Sequence, residues 1–133
     1  MILGAGSDLV EIKRIAGSIE RFGARFLKRC FSAGERDWAD KMPNKASRTA
    51  AYAKRWAAKE ATAKALGLGI ADGVYLRDIQ VVRQSSGQPM VELTGGAKER
   101  LLKMTPAGMT PVLHVSLSDD AGMALAFVVI DAI

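Results

Sequence analysis

The strongest constraint on the fold of this chain comes from two apolar segments near its C-terminus. Residues 112–118 alternate between apolar and polar side chains, which predicts a strand with one face against the protein interior. Residues 123–130 are continuously apolar, which predicts a central strand buried on both faces, and a turn is expected at residues 119–122. Helices are needed to cover such a sheet, so the sequence predicts an α+β fold with helices packed on a largely antiparallel sheet.

The remaining segments predict further elements of the same domain. Ser32 and Glu35 form a capping-box pattern that opens one helix. Pro43 separates that helix from a long alanine-rich helix, which Gly67 is expected to end. Because the chain has 133 residues and no linker, repeat or low-complexity segment, residues 1–133 are expected to form a single domain. The predicted elements are a strand at 2–9, helices at 12–28, 32–42 and 45–66, a hairpin at 78–83 and 90–94, and a helix at 96–104.

Composition limits the kinds of partner and site. The chain has 19 Lys and Arg against 14 Asp and Glu, and its net charge of +5 favours an acidic partner. Cys30 is the only cysteine and His114 the only histidine, so an internal disulfide and a zinc site of nitrogen and sulfur ligands are excluded. A metal in this protein would therefore be a hard cation on carboxylate oxygens. Cys30 is expected to be a packing residue rather than a nucleophile.

The sequence also predicts where the protein is found. No apolar run approaches the ~18–20 residues that a membrane span requires. The N-terminal segment lacks a basic region and carries Asp8 and Glu11, so it does not resemble a signal peptide. A cytoplasmic protein that does not act at a membrane is expected.

Asp8 admits two interpretations. It precedes a predicted helix and has Glu11 three residues later, a pattern that favours a helix N-cap. Alternatively, Asp8 is a carboxylate metal ligand at the end of a strand, and the small residues at positions 4–7 would let a ligand approach the backbone. Position alone favours the N-cap.

Glu60 and Lys64 also admit two interpretations. They are four residues apart on the predicted long helix and share a face, so they could form a surface ion pair worth about 0.3–0.5 kcal/mol. Alternatively, Glu60 holds Mg²⁺ and Lys64 meets a phosphate, because together they would neutralise a pyrophosphate. Gly67 and Gly69 would then either end the helix or let backbone N–H groups approach that phosphate. The Walker A pattern is absent from the sequence, which excludes ordinary P-loop chemistry.

The basic residues predict anion recognition. His114 stands on the polar face of its strand and is interpreted as a polar or cationic contact for an anion. One arc of the first predicted helix carries cations without interleaved acids, which suits an acidic helical protein or a nucleic acid. The aromatic platforms, GxxG loops and Cys/His fingers of nucleic-acid-binding modules are missing from the sequence, so a nucleic-acid partner is disfavoured. The cations of this arc are Arg14, Arg21, Arg25 and Lys28.

Taken together and in order, several segments resemble the motif blocks of the holo-[acyl-carrier-protein] synthase family. Residues 6–15 (GSDLVEIKRI) resemble the family's opening GxDxxxIxRI block, and residues 55–65 (RWAAKEATAKA) are similar to its RxAAKEAxxKA helix. The family's Gly-x-Gly-Ile, GxP and HVSxS blocks correspond to GLGI at 67–70, GQP at 87–89 and HVSLS at 114–118. The resemblance covers nearly the whole chain.

This resemblance implies a phosphopantetheinyl-transferase fold and activity. Such enzymes move 4′-phosphopantetheine from coenzyme A to a serine of an apo acyl carrier protein and release adenosine 3′,5′-bisphosphate. By family match, Asp8 and Glu60 would bind Mg²⁺, and Lys64 and His114, with Gly67 and Gly69, would contact coenzyme A. Glu60, or a metal-bound water next to it, is the candidate base for the carrier serine. Lys64 would stabilise the leaving bisphosphate, and Lys59 is a candidate helper in that role. The resemblance further implies a homotrimer with active sites between subunits, in which Arg14, Arg21 and Arg25 dock the acidic carrier protein.

One residue departs from the family pattern. The family usually continues HVSxS with a histidine, whereas Asp119 stands at that position here. A carboxylate there would repel a phosphate unless it points away or pairs with a cation. Two other functions remain alternatives from the residues alone: a small basic nucleic-acid-binding module, and a structural subunit that binds an acidic protein without chemistry. The nucleic-acid-binding module would explain the charge but not why Asp8, Glu60 and Lys64 occur together.

Overall fold

A computed structural model describes residues 1–67 and 75–133 of the chain. These residues form an α+β domain, as predicted, in which the strands pair antiparallel. The strands are β1 (Ile2–Glu11), β2 (Ile79–Arg83), β3 (Pro89–Leu93), β4 (Pro111–Asp120) and β5 (Met123–Ala132). The helices are α1 (Ile12–Phe22), α2 (Ala24–Cys30), α3 (Ala33–Asp40), α4 (Lys45–Ala65) and α5 (Gly95–Met104), with a 3-10 turn at Leu76–Asp78.

The strands form two antiparallel sheets rather than one. The larger sheet has the order β1-β5-β4, and β2 pairs with β3 in the predicted hairpin. Helix α4 packs across β1 and β5, and its alanines form much of the interface. In the register of the larger sheet, Asp8 lies opposite Ala126, and Leu117 lies opposite the same residue from the other side. This register places Asp8 in a row that faces α4.

Two glycines let β1 approach α4 closely. A Cβ on Gly4 would lie 2.1 Å from the backbone oxygen of Ala65, and one on Gly6 would lie 2.0 Å from that of Ala61. Both distances are far too short for a real contact. The sequence interpretation that these small residues admit a ligand is therefore wrong for Gly4 and Gly6, since helix α4 occupies the space. Because these two glycines have no side chain, β1 and α4 can pack closely against each other.

The prediction for β5 is only partly correct. It is the central strand of its sheet, as predicted. However, its residues alternate between a face buried under α4 and an outer face on which Leu125 is 42% and Phe127 49% exposed. Within the described residues, α4 covers one side of the sheet, and the other side is left open. An apolar sequence does not distinguish a face covered by the chain itself from one available to a second chain.

Helix boundaries correct two further predictions. The single helix predicted at 12–28 is divided at Gly23, whose φ of 57° is unsuitable for a continuous helix. Strand β1 continues to Glu11, which is the residue before α1, so the N-cap interpretation of Asp8 is wrong. Two other termini are confirmed. Ser32 and Glu35 form the predicted capping box, and Gly67, with φ of 82°, donates its N–H to the carbonyl of Lys64 as α4 ends. Gly69 lies outside the described residues.

Across 1–67 and 75–133, none of the helices has the length and apolar character needed to cross a bilayer.

Candidate active site

The last turns of α4 bring Lys64 to Asp8 on β1. The Nζ atom of Lys64 lies 3.3 Å from Oδ1 of Asp8 and donates a hydrogen bond of 2.9 Å to the carbonyl of Ser7. The Asp8 side chain is 18% exposed and that of Lys64 is 53% exposed, so the pair lies at the edge of the core. Lys64 therefore forms its ion pair with Asp8, across the β1–α4 interface. The ion pair with Glu60 along the helix, which the sequence spacing allowed, is not the one formed.

Glu60 belongs to the same cluster of charges. Partial burial raises the pKa of its carboxyl above the ordinary value, and the negative charge of Asp8 raises it further. The nearby cations Lys64 and Arg14 act in the opposite direction. Two carboxylates that repel each other in a partly buried position are typical of a cation site, because a divalent ion removes the repulsion. Asp8, Arg14, Glu60 and Lys64, which are scattered through the sequence, therefore form one electrostatic unit, which we call the carboxylate cluster.

The donors of the carboxylate cluster suit a hard divalent cation. In the described ranges, 1–67 and 75–133, no three His, Cys, Asp or Glu side chains come together as a protein-only metal cage. Mg²⁺ usually takes one or two protein carboxylates and completes its shell with water and substrate phosphates. Asp8 and Glu60 match that requirement, and Lys64 adds a cation for the same phosphates. The cluster can therefore neutralise a metal-bound pyrophosphate.

His114 does not join the carboxylate cluster within one chain. It lies opposite Val129 on the outer face of the sheet, whereas Asp8 lies opposite Ala126 on the face beneath α4. Neighbouring positions along β5 alternate between the two faces, so the sheet separates His114 from Asp8. Within one chain, His114 and Asp8 therefore lie on opposite faces of the larger sheet.

Asp119 is paired with a cation, which is the condition under which its carboxylate would not repel a phosphate. Its Oδ1 atom lies 2.9 Å from Nζ of Lys54 on α4. The carboxylate at this departure from the family pattern is therefore neutralised by a cation of the same chain. This ion pair is half-exposed and lies at the rim of a cavity of about 300 Å³ that Trp38, Arg55 and Arg83 also line.

The cationic character of this cavity is not evident from the sequence. The guanidinium groups of Arg55 and Arg83 stack on the ring of Trp38, at 5.6 and 4.7 Å from its centroid. Arg55 is 1% exposed, and burial lowers its pKa to about 10, with the positive charge of Arg83 as the second cause. The Nε atoms of both arginines, and Nη2 of Arg55, are buried and have no hydrogen-bond acceptor among residues 1–67 and 75–133. Arg55 opens the RWAAKEATAKA block, but nothing in the sequence connects it with Trp38 or Arg83. We call this group the arginine–tryptophan pocket.

Burial contradicts the prediction that Lys59 helps Lys64 by direct contact with the leaving bisphosphate. Lys59 precedes Glu60 on α4, but its side chain is fully buried and forms an ion pair of 2.7 Å with Glu35. Burial lowers the pKa of the Lys59 ammonium, and Glu35 acts against that shift. Cys30 is buried, as expected for a packing residue, and burial raises the pKa of its thiol.

The predicted docking residues are exposed but do not lie on one continuous helix. Arg14 and Arg21 belong to α1, whereas Arg25 belongs to α2, beyond the break at Gly23. Arg21 stacks on the exposed ring of Phe22, with its guanidinium carbon 5.2 Å from the ring centroid. The surface is therefore basic with an aromatic side chain at its bend.

Comparison with known proteins gives consistent matches along the chain. The family model of the 4′-phosphopantetheinyl transferase superfamily matches residues 4–126. All 133 residues align with holo-[acyl-carrier-protein] synthases of Methylorubrum populi, at 52% identity, and Methylobacterium radiotolerans, at 55%, and cover 96% of each relative. A crystal structure of the synthase of Neisseria meningitidis superposes with a TM-score of 0.80 and 34% identity, covering 98% of this chain and 99% of that one. The Helicobacter pylori synthase, solved in complex with coenzyme A, superposes with a TM-score of 0.77 and 32% identity, covering 96% and 99%.

Proposed function

Because this chain belongs to the 4′-phosphopantetheinyl transferase superfamily and its relatives are holo-[acyl-carrier-protein] synthases, we propose that it transfers 4′-phosphopantetheine from coenzyme A to a serine of an apo acyl carrier protein in a Mg²⁺-dependent reaction. Adenosine 3′,5′-bisphosphate is the second product. All 133 residues would belong to this one transferase domain. The observation that carries the proposal is the carboxylate cluster, in which Asp8 and Lys64 are 3.3 Å apart and Asp8 raises the pKa of Glu60.

The residues of the cluster have complementary roles in this reaction. Asp8 and Glu60 would hold Mg²⁺, which when bound supplies a Lewis acid for the pyrophosphate of coenzyme A. The hydroxyl oxygen of the carrier serine forms a bond to the phosphorus that bears pantetheine, and the bond from that phosphorus to the bridging oxygen breaks. Glu60 would accept the serine proton. Lys64 stabilises the negative charge on the departing bisphosphate.

The family resemblance implies that Gly67 and Gly69, which follow α4, contact coenzyme A. The N–H of Gly67 is already donated to the carbonyl of Lys64, so Gly67 ends the helix and its N–H is not available to a phosphate. The contact of Gly69 with coenzyme A is a prediction from the family resemblance.

The third phosphate of coenzyme A, on the ribose, needs its own cationic site. The arginine–tryptophan pocket offers one, since Arg55 and Arg83 carry buried N–H groups that find no acceptor in the described part of the chain, and Lys54 also lines the pocket. Arg55 and Lys64 are nine residues apart on α4, about two and a half turns, so they point to opposite sides of that helix. One coenzyme A molecule could therefore use the pocket of one chain and the carboxylate cluster of another.

The exposed residues on the outer face of the larger sheet support an active site between subunits. His114 lies on that face, which also carries the exposed apolar side chains of Leu125, Phe127 and Leu9. A second copy of the chain would bury these side chains and bring His114 toward a neighbouring cluster. We infer the homotrimer that the family resemblance implies. The predictions of a cytoplasmic location and of no membrane or nucleic-acid partner are retained as part of this proposal.

The basic surface of α1 and α2 would dock the carrier protein. Arg14 lowers the pKa of Glu60, so it lies at the edge of the carboxylate cluster, where the carrier serine must arrive. Arg21 and Arg25 extend the positive surface away from the cluster. Such a surface raises the rate of encounter with an acidic protein and makes that rate sensitive to salt.

Mass spectrometry of an apo acyl carrier protein tests the proposed reaction. The carrier is incubated with this chain and coenzyme A, with and without Mg²⁺. We expect a gain of one phosphopantetheine mass only when Mg²⁺ is present, together with release of adenosine 3′,5′-bisphosphate. An unmodified carrier, or equal modification with a metal chelator present, contradicts the proposal. A matched carrier in which the acceptor serine is replaced by alanine is the control.

A further inference from the structure

Lys59, the residue before Glu60 on α4, belongs to a fully buried ion pair. The Nζ atom of Lys59 is 2.7 Å from Oε1 of Glu35, and neither side chain has any exposed surface. The same ammonium donates to the carbonyl of Leu76, at 3.2 Å, and to that of Ile79. An ammonium has three N–H donors, so these three acceptors satisfy it completely.

The carboxylate of Glu35 is satisfied in the same way. Oε1 accepts a hydrogen bond of 2.9 Å from the N–H of Ser32, and Oε2 accepts one of 3.0 Å from the N–H of Val81. The pair therefore joins α4 to the first turn of α3 and to the start of β2. Substrate cannot reach Lys59 in this arrangement, because its ammonium is enclosed and every N–H is used.

We propose that Lys59 and Glu35 form a positioning unit that sets the rotation of α4 and so directs Glu60 toward Asp8. Successive residues of a helix point about 100° apart, so fixing the side chain of Lys59 also fixes the direction of Glu60. A buried charge without its partner is strongly unfavourable, so the pair tolerates one rotational setting of α4. Lys59 acts through Glu60 and does not touch the reacting atoms. This inference rests on the role proposed for Glu60.

Three variants isolate the ion pair. Lys59→Met leaves Glu35 charged and unpaired, and Glu35→Gln leaves Lys59 charged and unpaired. The double variant Glu35→Gln/Lys59→Met removes both charges and keeps an amide oxygen that accepts a backbone N–H. Tyr52→Phe is the matched control, since the Tyr52 hydroxyl donates a 2.8 Å hydrogen bond to Asp40 and also connects α4 with α3.

The measurements are Tm, kcat, KM for the carrier protein and the Mg²⁺ concentration that gives half-maximal activity. Each single variant should lower Tm, lower kcat by about tenfold to a hundredfold and raise the half-maximal Mg²⁺ concentration, with little change in KM for the carrier. The double variant leaves one backbone N–H and the carbonyls of Leu76 and Ile79 without their partners. It should therefore regain part of Tm, and kcat and the Mg²⁺ response should recover with it. Tyr52→Phe should lower Tm alone.

Two results would overturn the inference. If the single variants lower Tm without changing kcat or the Mg²⁺ response, the pair is only structural. If the double variant regains Tm but keeps the kcat of Lys59→Met, Lys59 takes part in the chemistry. If the single variants do not fold, the double variant alone tests the inference. If the double variant does not fold either, Lys59→Arg is used instead. A joint shift in kcat and Mg²⁺ response of Lys59→Arg would support the inference, and a shift in Tm alone would contradict it. Glu60→Gln in the same assay separates the two proposals, because full activity of that variant contradicts the proposed site itself.

Discussion

The Lys64 ammonium and the Asp8 carboxylate, 56 residues apart in the sequence, lie 3.3 Å from each other. This contact joins the end of α4 to β1, beside a glutamate whose carboxyl already has a raised pKa. Two carboxylates and a lysine thus lie close together where α4 packs against the glycines of β1. The proposed Mg²⁺ and pyrophosphate chemistry depends on this arrangement.

Glu60→Gln should separate stability from activity. The pKa of Glu60 is raised in the folded chain, so the folded state binds its proton more tightly than the unfolded state does. Stability of the metal-free protein should therefore fall as pH rises from the ordinary pKa of glutamate through the raised value. Glu60→Gln should abolish this fall and give a higher Tm at neutral pH without Mg²⁺, while lowering kcat by at least about a hundredfold. Thermal melts across pH 4–8 and turnover assays check both parts. A variant with the wild-type pH dependence of Tm would show that the carboxyl of Glu60 is not the perturbed group.

Gly6→Ala should damage the β1–α4 interface. The added Cβ would lie 2.0 Å from the backbone oxygen of Ala61, and backbone cannot move aside as a flexible side chain can. We expect a loss of about 1–3 kcal/mol or more in the free energy of unfolding, together with weaker Mg²⁺ response because Asp8 is displaced. The matched control is Gly17→Ala in α1, where the new methyl group meets no atom within 4 Å. That control should stabilise the protein by about 0.5–1 kcal/mol. Denaturant titration of both variants checks the contrast, and equal stabilities would refute it.

How far the sequence predicted this structure depends on the kind of signal. Alternation in residues 112–118 gave β4 correctly, because one face of that strand is packed and the other is not. The break at Gly23 was missed, since the apolar spacing continues across it. The alanine-rich sequence of α4 has too little contrast between faces to show that Lys59 is buried while Lys64 is exposed. The contact of Asp8 with Lys64 and the arginine–tryptophan pocket depend on tertiary packing, which helical spacing does not describe.

Arg83→Gln should weaken the recognition of coenzyme A selectively. If Arg83 contacts the ribose phosphate, its loss should raise KM for coenzyme A by about tenfold, which corresponds to ~1.4 kcal/mol. KM for dephospho-coenzyme A, which lacks that phosphate, should not change. Arg77→Gln is the control, because Arg77 is exposed and stacks on Tyr75, outside the pocket. Steady-state kinetics with both substrates checks this, and an equal rise in both KM values would exclude Arg83 as the ribose-phosphate contact.

Arg14→Glu and Arg21→Glu should differ in their effects. Both reversals should raise KM for the carrier protein, and the increase should diminish with added salt because the attraction is electrostatic. Of these two arginines, only Arg14 lowers the pKa of Glu60, so Arg14→Glu should also move the pH dependence of kcat to higher pH. Arg21→Glu should leave that profile unchanged. Kinetics at two salt concentrations across pH 5–9 compares the variants, and identical pH profiles would place Arg14 outside the carboxylate cluster.

The most direct test of the central claim is calorimetric titration of Mg²⁺ into the protein saturated with coenzyme A. The wild-type chain should bind one Mg²⁺ per subunit, and Asp8→Asn and Glu60→Gln should each weaken that binding by at least about tenfold. Glu99→Gln, at an exposed position on α5, should bind Mg²⁺ as the wild type does. Wild-type affinity in both Asp8→Asn and Glu60→Gln would contradict the claim that these two carboxylates hold the metal.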